Sequence, residues 1–441
     1  MKNKSIFEKL ESNVRAYCRS FPAIFVRAKN AVMFDAGGRQ YIDFLAGAGA
    51  LNYGHNNEFI RDRIVAHLQS DGIVHALDLH TGAKAAFMEA LHARILKPRG
   101  LKYKMQFCGP TGTNAVEAAL KLARKVTGRP TVFAFMGGFH GMSLGSLAAT
   151  GHKMHRAGAG APLLANTVFM PFPHGFMAGF DTLGYMEAVL DDPHSGIETP
   201  SAVIYETVQA EGGVIPAPPA WQRRLRQICD RHGILLICDD IQIGCGRSGR
   251  FFSFEAAGIV PDIVALSKSI SGGGLPMSLV LLKPALDIWQ PAEHNGSFRG
   301  NQLAFVGGEA ALEYRDRTNL DARVRAKAAW LGAYLQRRVA PLDRRIAIRG
   351  LGLIWGIDLT ALQRPDLPGR VSALCFKRGL VMELAGRNDQ VLKILPPLTI
   401  EDAVLEQGCD IMARAMEECL ARPRGRQGGR SKQTGNSGMV H

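Results

Sequence analysis

Between residues 104 and 285, short apolar runs alternate with stretches of helical periodicity. The runs cover 104–107, 131–135, 202–205, 234–238, 263–266 and 277–282. Each is too short for a typical helix and reads as a buried strand. Strands alternating with helices predict an α/β fold with a mostly parallel, doubly wound sheet. After residue 305 the pattern changes: helical segments come first, then strand-like pieces at 352–358 and 391–395. These predict a smaller α+β domain built from both termini. At the start, Ser5-Ile6-Phe7-Glu8 has capping-box spacing, and Ile6, Leu10, Val14 and Tyr17 follow at helical intervals, predicting one amphipathic helix. Gly37-Gly38 reads as a hairpin turn. The expected division is an N-terminal segment 1–55, a large domain 56–305, a small domain 306–421 and a disordered basic tail 422–441.

Composition narrows the class. The chain has 441 residues, 46% hydrophobic and 21% charged, so a large folded core is expected. No apolar run reaches the roughly 18 residues that span a bilayer, so no membrane partner is expected. The basic start lacks an apolar stretch behind it, which argues against a secretory leader. Eight scattered cysteines form no C-x-x-C pair and read as reduced thiols in a cytoplasmic enzyme. No metal site is assigned. The formal net charge of +14 raises the question of nucleic acid. Arg422, Arg424, Arg426, Arg430 and Lys432 supply five of those charges in the tail, without a nearby acid or stacking aromatic. No nucleic-acid motif is present, and that class is set aside.

Two strand ends carry the chemistry. The run 234–238 leads into Asp239-Asp240-Ile241-Gln242, and 263–266 leads into Ser267-Lys268. In a parallel sheet both polar ends reach the carboxyl edge, where open α/β folds place ligands. A lysine amine there can form a Schiff base with an aldehyde cofactor. An aspartate can hold a pyridine nitrogen protonated, so that the ring draws electrons. Together they call for pyridoxal phosphate. Gly109-Pro110-Thr111-Gly112-Thr113-Asn114 lies between a strand and a helix pattern, a ready phosphate cradle. Alone, such a turn is more often only a turn; the lysine and aspartate give it weight. Phe139 can stack on a planar ring, although Phe139 and His140 also read as ordinary core residues. Glu206 and Glu211 follow the 202–205 strand, where an acid is equally well a solvated loop residue.

These pieces, in this order, resemble the fold-type I, class III pyridoxal phosphate aminotransferases. The resemblance runs from the N-terminal segment to about residue 415. It is carried by Thr111 to Ala119, Phe139-His140-Gly141, Glu206 to Gly213, Asp239 to Gln242, Gly246 to Gly249, Lys268 and Pro396-Pro397-Leu398. It implies that Lys268 is the Schiff-base lysine and general base, and that Asp239 pairs with the pyridinium nitrogen. Gln242 would meet the phenolic oxygen, with Ile241 beneath the ring and Phe139 above it. Gly112 and Thr113 would bind the phosphate through backbone amides. Ser297 takes the place of a threonine that reaches the phosphate from a partner subunit, which implies a homodimer.

Two positions depart from the class. Met142 stands where an arginine often follows Phe-His-Gly, and Lys393 stands where an arginine often pairs with the acid at Glu211. Lysine is a point charge, not a bidentate fork. Glu211, Arg299 and Lys393 are the expected substrate contacts. Stretches such as Arg15 to Pro22, Leu51 to Asn57, Leu68 to Gly72 and Asn295 to Asn301 resemble the diaminobutyrate branch used in ectoine biosynthesis. The implied reaction moves an amino group between glutamate and aspartate 4-semialdehyde. Another ω-amine transaminase or an aminomutase would use the same machinery. Intact Lys268 and Asp239 argue against an inactive scaffold.

Overall fold

The computed structural model describes residues 4–159, 166–174, 177 and 179–421, so the expected tail 422–441 lies outside the described residues. Its centre is a seven-stranded sheet. In chain order the strands are β1 (Lys104–Phe107), β2 (Val132–Phe135), β3 (Thr167–Met170), β4 (Ala202–Tyr205), β5 (Leu235–Asp239), β6 (Ile263–Leu266) and β7 (Leu279–Leu282). Their spatial order is β1-β7-β6-β5-β4-β2-β3. β7 runs antiparallel to both neighbours; the β6-β5-β4-β2-β3 pairs are parallel. β2, β4, β6 and β7 are buried along their whole length, because helices cover both faces. That is why these strands read as unbroken apolar runs.

Helix α1 (Gly112–Thr127) shows the pattern at work. Ala115, Val116, Ala118, Ala119, Leu122 and Ala123 form its buried stripe. The small residues let it lie close against β6, and burying Val116 and Leu122 stabilises the fold by about 2 kcal/mol each. Gly128, with φ of 69°, ends the helix in the left-handed region that favours glycine.

The second core belongs to the smaller layer. Strands Ala347–Leu351, Ile354–Asp358, Leu384–Ala385 and Val391–Ile394 form an antiparallel sheet. The N-terminal strand Gln40–Asp43 pairs in parallel with Leu380–Val381, tying the start of the chain to residues more than three hundred positions later. The Gly37-Gly38 turn joins Val32–Asp35 to Gln40–Asp43, with Gly38 at φ 80°. Arg247 joins the layers. It is fully buried and donates to the carbonyls of Leu353 and Pro396 and to Asn52 Oδ1.

Three expectations change. The N-terminal helix is Lys4–Leu10 only; a turn at 11–16 separates it from a short helix at Tyr17–Ser20. Ile6, Leu10 and Val14 are exposed, so nothing within this chain rewards a continued helix. Strands begin or end one or two residues from the predicted limits at 132, 235, 239, 279 and 354. Strand β3 was not foreseen. It is an edge strand, only Met170 is fully buried, and its short mixed pattern carries little signal.

Candidate active site

The parallel pairing of β4, β5 and β6 brings Glu206, Asp239 and Ser267-Lys268 to one edge of the sheet. Lys268 begins a tight 3-10 turn with φ of 52°, a conformation costly for a residue with a side chain. Its Nζ donates to the Ala48 carbonyl at 2.8 Å. That carbonyl also accepts from Gln242 Nε2 at 2.8 Å. Ala46, Gly47 and Ala48 all have positive φ, which turns the backbone into the site. Burial pulls the Lys268 amine below its usual range, against the charge of Glu211. A lysine that loses its proton more readily is more often unprotonated and so more available as nucleophile and general base.

Asp239 Oδ2 lies 2.7 Å from His140 Nδ1, and both side chains are buried. Burial works against charge on His140, but the hydrogen bond and charge of Asp239 outweigh it and raise its pKa. Asp239 Oδ1 accepts from the Ile241 amide at 3.2 Å. Beside this pair sits Glu206, whose carboxylate accepts the Phe139 amide at 2.9 Å. Burial pushes Glu206 up to about 7, helped by Asp239 and opposed by His140. Phe139 meets His155 edge-on at 5.6 Å.

The turn before α1 is a close fit. A Cβ on Gly112 would come within 3.0 Å of Ile241 Cδ1. Thr113 Oγ1 is engaged by Ser143 Oγ at 2.6 Å and by Ser146 Oγ. The amides of Gly112 and Thr113 open the first turn of the helix, where a phosphate is favoured.

Lys393 lies between two carboxylates, 2.7 Å from Glu211 Oε1 and 2.7 Å from Glu383 Oε1. The Tyr17 hydroxyl donates to Glu383 Oε2 at 3.2 Å. Burial alone would discharge Lys393; the two acids more than offset it and raise its pKa. Lys393 pulls Glu211 down to about 2 against the effect of burial. A cleft of about 900 Å³ opens beside this cluster, lined by Tyr17, Arg19, Phe139, His155, Glu211 and Arg387 among others.

The structure therefore gathers Lys268, Asp239, Ile241, Gln242, Gly112, Phe139, Glu211 and Lys393 around one edge. It does not bring Arg299 there. Arg299 faces Asp78 Oδ2 at 3.8 Å and Asn295 Oδ1 at 3.4 Å. Ser297 is exposed, three residues after His294, whose Nε2 is 3.3 Å from Asn114 of α1. His140, Tyr17 and Glu383 were missed by sequence reasoning as site residues, and Glu206 was left undecided. His140 follows Phe139 directly at a strand end and carried a usable signal. Tyr17 and Glu383 stand 366 positions apart and carried none.

A class-III aminotransferase model matches residues 15–416, and the chain belongs to that family. It is 51% identical over 418 residues to the diaminobutyrate–2-oxoglutarate transaminase of Bordetella parapertussis, covering 94% of this chain and 95% of that protein. The transaminase of the same name from Halalkalibacterium halodurans is 50% identical, covering 94% and 96%. An S-selective transaminase structure from an Arthrobacter species superposes with a TM-score of 0.86 at 21% identity, covering 95% and 98%. That likeness concerns the fold.

Pyridoxal 5′-phosphate is the cofactor of this class. The residues present fit it. Gln242 Oε1 is a buried acceptor with no protein partner, suited to a phenolic O–H. Gly112 leaves a cradle that a Cβ would fill. Lys268 offers an amine and Asp239 a carboxylate on adjacent strand ends.

Proposed function

We propose that the chain is a diaminobutyrate–2-oxoglutarate transaminase, moving an amino group from L-glutamate to L-aspartate 4-semialdehyde. The observation that carries this is about 50% identity, over nearly the whole chain, to transaminases of that name. The depressed basicity of Lys268 and the Asp239–His140 pair support it.

Bound pyridoxal phosphate supplies an aldehyde for the amino group and a ring that draws electrons from the substrate carbon. Lys268 would hold it through Nζ and, once displaced, would take the proton from glutamate Cα. The carbonyl of Ala48 orients that amine. Asp239 holds a proton at the ring nitrogen, and His140 keeps Asp239 in place. Gln242 Oε1 would accept a hydrogen bond from the phenolic O–H. Ile241 and Phe139 would pack on the ring, and the amides of Gly112 and Thr113 would take the phosphate. Once 2-oxoglutarate has left and the four-carbon aldehyde has entered, Lys268 would deliver a proton to its C4, giving L-2,4-diaminobutyrate.

The active unit in this reading is a homodimer, with Ser297 of the partner subunit reaching the phosphate. An exposed apolar stretch of Ile73, Val74, Leu77 and Leu79, with Phe298 nearby, supports an interface there. Residues 56–305 supply most of the cofactor site; 1–55 and 306–421 close it. Eight free cysteines, seven of them buried, support a cytoplasmic setting. Diaminobutyrate feeds ectoine-type compatible-solute synthesis and also siderophores and peptide antibiotics.

The test is a substrate ranking. Purified protein should convert diaminobutyrate and 2-oxoglutarate to glutamate with a higher kcat/KM than ornithine or 4-aminobutyrate. A better rate with either competitor overturns the substrate while leaving the class intact.

A further inference from the structure

The two ends of glutamate and diaminobutyrate differ in charge. Beyond its reacting amine, glutamate offers two carboxylates. Diaminobutyrate reacting at its γ-amine offers a carboxylate and a second ammonium. A site that serves both must favour each without a rearrangement that costs more than it gains.

A cation that grips a substrate carboxylate must first give up its own acidic partner. Lys393 is poorly built for that exchange. Its side chain is 0% exposed and touches two carboxylates at 2.7 Å each. The Lys393 amide donates to the Glu383 carbonyl at 3.0 Å, so the two residues move together. The Gly386 amide donates to the Glu211 carbonyl at 2.9 Å, which ties the third member to the same hairpin. Tyr17 occupies the other oxygen of Glu383.

The charges do not cancel: two carboxylates share one ammonium. Glu383 is 6% exposed, whereas Glu211 keeps 31% exposure beside the cleft. Among the described residues, both hydrogen bonds of the Glu211 side chain, from Lys393 and from Gln242 at 3.3 Å, fall on Oε1. Its second oxygen remains for something else.

We propose that Glu383 is a specificity-determining residue: it holds Lys393 in place through both half-reactions, so that Glu211 accepts the second ammonium of a diamino acid. With the Lys268 amine committed to the cofactor, the cluster of Glu211, Glu383 and Lys393 is net anionic and disfavours the distal carboxylate of glutamate, which must be gripped elsewhere along the cleft. This rests on reading the chain as a diaminobutyrate transaminase. Removing the charge of Glu383 leaves Glu211 and Lys393 balanced. Lys393 is then free to exchange Glu211 for a dicarboxylate.

The test uses the cofactor-loaded protein and Glu383→Gln, with glutarate as a dicarboxylate that has no amine to react. The variant should lose about tenfold in kcat/KM for diaminobutyrate, mainly through KM, and bind glutarate about tenfold more tightly. The pH midpoint of the cofactor's visible band should fall, because a negative charge near Lys268 has been removed. Glu383→Asp should restore part of all three. Tyr17→Phe, a milder change, should move them the same way by less, and it carries the test if Glu383→Gln does not fold. Equal losses for diaminobutyrate and glutamate, with glutarate binding and the midpoint unmoved, would show a merely structural role and overturn the proposal. If the wild-type protein ranks another amine first, the substrate reading fails, while the glutarate and midpoint arms still decide the lock.

Discussion

The two ends of the active site are built in different ways. At one end, Asp239 and Glu206 sit at the ends of neighbouring strands whose pairing fixes their spacing, and His140, from the loop after β2, bonds Asp239. At the other, Glu211 follows β4, Lys393 lies in the strand Val391–Ile394, Glu383 lies in the connection between Leu380–Val381 and Leu384–Ala385, and Tyr17 opens the short helix Tyr17–Ser20. The first end would hold the cofactor's ring, which keeps its place while its aldehyde carbon gains and loses the amino group, so a rigid frame suits it. The second must meet two substrates of different charge, and it is assembled from separate layers. Chemistry sits on the regular frame, and discrimination sits on the joint between frames.

The comparison can be broken at the lysine common to both ends. Lys268→Ala should lower kcat by about 10⁴-fold or more, and the visible band should vanish while the cofactor still binds through its phosphate. A variant that keeps both band and turnover would remove Lys268 from the mechanism.

Next in size is the other end. Lys393→Met leaves two carboxylates facing each other without a cation, and should destabilise the fold by about 3–5 kcal/mol near neutral pH. The loss should shrink as the pH falls and the acids take up protons. Urea unfolding at several pH values reads it; a pH-independent loss would point to packing alone.

Asp239→Asn sharpens the contrast. It should lower kcat by about 10²- to 10³-fold while cofactor affinity changes far less, because the charge matters most in the proton-transfer step. Near-normal kcat would contradict the role.

Smallest is the effect of Glu206. Its carboxyl holds a proton up to about pH 7 when folded but only to about 4.5 when unfolded. The folded state therefore binds the proton more tightly, and stability is lost as the pH rises through that window. Glu206→Gln should flatten this slope by about 3 kcal/mol or less across the window. An unchanged slope in urea unfolding from pH 4.5 to 7.5 would contradict a buried, proton-holding Glu206. Asp240, also pushed up to about 7 by burial, contributes a separate slope of the same sign.

The same contrast decides what the sequence made legible. Lys268 and Asp239 were readable because each follows an unbroken apolar run, and parallel pairing must then set them side by side. Gly112 was readable from a glycine-rich turn between a strand and a helix pattern, once Lys268 and Asp239 gave that turn weight, and Phe139 mainly through the family resemblance. Glu383 and Tyr17 were not, because their meeting depends on how two layers close over the cleft. Arg299 lies away from this chain's own lysine edge, 3.8 Å from Asp78, in the same stretch as Ser297. The N-terminal periodicity misled: helical spacing predicts a stripe, but only a surface to cover that stripe sustains the helix.

The carbonyl of Ala48 has a consequence for mutational scanning. It orients both Lys268 and Gln242, yet it belongs to the backbone, so no side-chain replacement deletes it. Only the left-handed run at Ala46, Gly47 and Ala48 can be disturbed. A saturation library across these three positions should therefore tolerate glycine and reject valine and isoleucine, whose branched side chains resist that conformation. Read without the structure, such a pattern would be assigned to crowding around small residues, when its origin is the aim of a single peptide group.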